Sequence, residues 1–78
     1  LSPNGYAFVN ASLVVVQAIG GELTDGQLAV FERDYGALFG AEFSVPVFDD
    51  TAVWVGGTYN PETGEFAPPI ALENPGEQ

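Results

Sequence analysis

The acidic residues are the first place to look for chemistry, because little else in the chain could perform it. Adjacent Asp49 and Asp50 could work as an acid–base pair or hold a calcium ion. Glu22, Asp25, Glu32 and Asp34 form a second group with the same options. Neither group has the spacing of a calcium-binding loop, and neighbouring acids on a turn are ordinarily solvated. Histidine, cysteine and lysine are all missing. The commonest general base, the thiol nucleophile and the amine nucleophile are therefore excluded, and so is a Cys/His zinc site. Ser2, Ser12 and Ser44 have no His or Lys in the chain to activate them. Gly56-Gly57 opens no helix and does not make a phosphate loop. The expectation is a chain with no catalytic residues, no metal site and no cofactor, and so not an enzyme.

Aromatic residues offer a different kind of site. Trp54, Tyr59 and Phe66 could together form a platform that stacks on a sugar or a peptide. The same residues serve equally to build a core or a contact between subunits, and that is the reading adopted. Asn10-Ala11-Ser12 matches the N-glycosylation pattern but is read as a tight turn.

Charge narrows the partners further. One arginine, Arg33, faces eleven acidic residues, a formal net charge of −10. Nucleic acid is disfavoured, since phosphates need Lys or Arg to neutralise them, and an anionic membrane surface is disfavoured for the same reason. A basic protein partner or a salty environment suits such a chain. The apolar run 13–19 is far short of the ~18 residues of a membrane span, and no basic residues precede it as in a secretory signal. A first residue of Leu rather than Met implies preceding or processed residues.

The elements that must position these groups fit one small domain, 1–78. A chain of 78 residues supports one modest core, and without disulfides or metal its remaining source of stability is docking or oligomerisation. Residues 1–5 are an N-terminal arm. Residues 6–9 read as a strand, and 13–19, β-branched and nearly continuous, as a strand covered on both faces. Thr24 and Gln27 have the spacing of a capping box at the start of a helix over 24–39, with Leu23 and Leu28 as a hydrophobic staple. Leu28, Phe31, Tyr35 and Leu38 share its core face, widened by Phe39, and Gly40 ends it. Residues 41–48 alternate, with Phe43, Val45 and Val47 on one face; Pro46 makes this an edge strand.

The stretch 51–69 organises the rest. Val53, Val55 and Thr58-Tyr59 favour a strand, and Asn60-Pro61-Glu62-Thr63-Gly64 is a turn that brings Tyr59 and Phe66 together. Pro68 and Pro69 end the pairing, and 73–78 is a polar tail. The fold expected is α+β: one antiparallel sheet from 6–19 and 43–67 with a single helix packed on one face.

Two segments carry a family likeness. Tyr6-Ala7-Phe8-Val9 with the run 13–19 resembles the opening of small proteins encoded among the tail genes of tailed bacteriophages. Val53 through Pro69, with Gly56-Gly57, Tyr59, Gly64, Phe66 and Pro68-Pro69, is similar to their close. Asn60 replaces the usual Asp and Gln17 the usual Asn, changes that remove neither turn nor strand. The resemblance covers about three quarters of the chain and implies a structural virion protein, bound to tail, neck, fibre or capsid surface, with no catalytic residues to carry over. Its partners would be other virion proteins or further copies of itself. The contact residues expected are Tyr6, Phe8, Trp54, Tyr59, Phe66, Pro68 and Pro69, acting with a sheet edge. The alternative is a glycan- or peptide-binding module built on Trp54, Tyr59 and Phe66.

Overall fold

A computed structural model of the chain describes residues 3–48 and 51–69. Its elements are β1 (Gly5–Asn10), β2 (Val15–Gly20), α1 (Asp25–Phe39), β3 (Ala41–Val47), β4 (Thr58–Asn60) and β5 (Glu65–Ala67). The fold is α+β. The first three strands form an antiparallel sheet in the order β2-β1-β3, and β4 and β5 pair as a separate two-stranded hairpin. The sheet expected to be continuous is thus divided. The two parts meet along the first residues of β2. Val15 N–H donates to the Gly57 carbonyl at 2.9 Å, Gly56 N–H to the Val15 carbonyl at 2.7 Å, and Tyr59 N–H to the Leu13 carbonyl at 2.9 Å.

Strand β1, not β2, is the one covered on both faces. Gly5 through Val9 are all buried, whereas β2 is fully buried only at Val15. Alternation along β1 explains the two faces. Phe8 meets Tyr35 of α1 edge-on, ring centroids 4.9 Å apart, and its cross-strand neighbour Ser44 donates to the Glu32 carboxylate at 2.5 Å. Ala7 and Val9 point the other way, into a cluster with Val15, over which Val45, Val47, Val53, Tyr59 and Phe66 pack. The molecule is therefore layered as helix, sheet and the 53–66 segment. Among the described residues the buried apolar ones are Tyr6, Ala7, Phe8, Val9 and Val15.

The helix begins and ends where its local chemistry directs. Thr24 is the N-cap: Gln27 N–H donates to its hydroxyl at 3.2 Å, and Thr24 N–H donates to the Gln27 side chain at 3.0 Å. This reciprocal pair satisfies two of the amides a helix start leaves free. Gly40 closes the other end in the left-handed region, φ 80°. Phe31, Tyr35 and Phe39 form a row of rings along the helix. Leu38 leaves the core face expected of it and is 71% exposed. Ten residues at 3.6 per turn place it about 80° round the helix from Leu28, on the flank rather than beneath it. None of the described helices is long and apolar enough to cross a membrane.

Candidate functional site

The 51–69 segment is held by one joint and one turn. At the joint, Gly57 is buried, its N–H donates to the Trp54 carbonyl at 3.0 Å, and its own carbonyl accepts from Val15. A Cβ there would stand 2.2 Å from the Ala67 carbonyl oxygen and 3.1 Å from that of Trp54. Only glycine lets the hairpin close on itself and on β2 at once. Preceding it, Gly56 turns the chain at φ 93°, so Val53 and Val55 lie outside any strand despite their propensity. Beyond β4, the Asn60 side chain accepts from Glu62 N–H at 2.9 Å, and Gly64 N–H donates to the Asn60 carbonyl at 2.7 Å with Gly64 at φ 78°. Tyr59 then pairs with Phe66 in register, ring centroids 5.0 Å apart.

This hairpin borders a groove of about 470 Å³, lined by Leu13, Thr58, Tyr59, Pro61, Glu65 and Phe66 among others. Its floor has two rings rather than three. Trp54 does not line it and, among the described ring contacts, makes none with Tyr59 or Phe66. Tyr59 instead meets Phe43 of β3, at 6.1 Å between centroids. Both groove rings are half-buried and also pack on the core cluster, so much of their surface is already spent within the chain. Leu13 enters the groove from a left-handed conformation, φ 64°, unusual for a residue with a branched side chain. It is held by its neighbours: Leu13 N–H donates to the Asn10 carbonyl, and the Asn10 side chain accepts from the amides of Ser12 and Val14, each at 2.9 Å. Asn10 thus serves as the organiser of the β1–β2 turn.

Two of the expected contact residues are core. Tyr6 is 8% exposed and Phe8 fully buried, because β1 is the central strand with α1 and the 53–66 segment on its two sides. Trp54, Tyr59, Phe66, Pro68 and Pro69 are half-buried. Pro69 approaches Gly56, its Cγ 3.7 Å from where a Cβ would stand.

Both sheet edges are obstructed. On β3, Pro46 has no N–H to offer a new strand, and Glu42 is exposed near the other end. On β2, residues 13–15 are taken by the 56–59 segment, and further along the Gln17 side chain accepts the Ala18 amide at 3.1 Å. Docking by strand addition, expected from the sequence, finds little free ladder here.

The surface that sequence reasoning missed is on α1. The helix has no fully buried residue. Val30 is 45% exposed, Leu38 71% and Phe39 46%. Val30, Asp34 and Leu38, spaced four apart, run as one strip along its flank. The signal available was Val30, an apolar residue outside the stripe of Leu28, Phe31 and Tyr35. Among the described residues no group of three or more His, Cys, Asp or Glu side chains converges. Asp49 and Asp50 lie outside the described residues. Comparison with protein-family models, with curated proteins and with solved structures found no match in any of the three.

Proposed function

We propose that the chain is a structural component of a tailed-bacteriophage particle. In this reading it is a small accessory protein, assembled in the host cytoplasm and held on tail, neck, fibre or capsid surface by subunit contacts, with no catalytic role. The observation that carries a docking role is the flank of α1, where Leu38 and Val30 stand in solvent on a domain with few buried apolar residues among those described. Large apolar residues left outside while the core is poor are what a partner surface would cover. The kind of particle rests on the likeness of 6–19 and 53–69 to phage tail-gene proteins.

Targeted mass spectrometry on gradient-purified particles tests this reading by counting copies per particle. A fixed copy number is expected. A chain abundant in the lysate and missing from the particles would sink it. The groove over Tyr59 and Phe66 favours one second reading, a module that binds a glycan or an extended peptide. A glycan and peptide array would support that reading only if binding is lost on Phe66→Ser while Leu38→Ser has no effect.

A further inference from the structure

We draw no further inference here: the strongest candidate, the groove beside the β4–β5 hairpin lined by Leu13, Tyr59, Pro61 and Phe66, is floored by rings that already pack on the core cluster, and nothing in the structure shows what covers it.

Discussion

Gly57 and Gly64 are glycines for different reasons, and substitution should separate them. At Gly64 the difficulty is backbone conformation: φ is 78° and nothing lies within 4 Å of a Cβ placed there. Gly64→Val should therefore cost about 1–2 kcal/mol, the penalty of a left-handed L-residue, while the exposed Glu62→Val two positions earlier stays within about 0.5 kcal/mol. At Gly57 the difficulty is space, with the Ala67 carbonyl oxygen 2.2 Å from the would-be Cβ. Gly57→Ala should reach or exceed the upper end of the about 1–3 kcal/mol of overpacking. It should also detach the hairpin from β2, because Gly57 supplies the acceptor for Val15 N–H. Urea unfolding of the three variants checks the order Gly57→Ala, Gly64→Val, Glu62→Val. Equal midpoints for the last two would mean that the turn does not require its left-handed residue. The role of Gly64 is legible from Asn60-Pro61 before it, because turn chemistry is local. That of Gly57 is not, since its neighbour Ala67 is brought there only by the closed hairpin.

The helix was the most legible element. Its first and last residues depend on side chains within a few positions: Thr24 with Gln27 at the start, Gly40 at the end. Thr24→Ala should cost about 1 kcal/mol, read as a lower urea midpoint with an unchanged slope. An unmoved midpoint would mean the cap hydrogen bonds contribute nothing measurable. The strands were legible as strands but not in their order. Residues 13–19 carry the more β-branched run, yet β1 is central, because the chain after β2 leaves for α1 and returns as β3 on the far side of β1. Composition does not encode that crossing. The same limit applies to 53–55, whose valines favour a strand while Gly56 at φ 93° turns the chain away from one. Among expected contact residues, Tyr6 and Phe8 were misplaced for this reason: an aromatic on a short strand looks the same whether that strand is at the edge or at the centre.

For the whole molecule, a small core and a formal charge of −10 set the behaviour. Carboxylates this numerous invite a calcium test, and the described ones do not converge. Millimolar calcium or EDTA should leave the melting temperature unchanged, since a ligand of the folded state would raise it by mass action. A calcium-dependent rise would return attention to Asp49 and Asp50. The central claim is that this domain is held on a larger particle through the flank of α1. Hydroxyl-radical footprinting tests it most directly, comparing side-chain oxidation in the free protein with that in the particle. Leu38 and Val30 should be oxidised in the free chain and protected on the particle, while Tyr59 and Phe66 change little. Unchanged oxidation at Leu38, or protection confined to Tyr59 and Phe66, would contradict it.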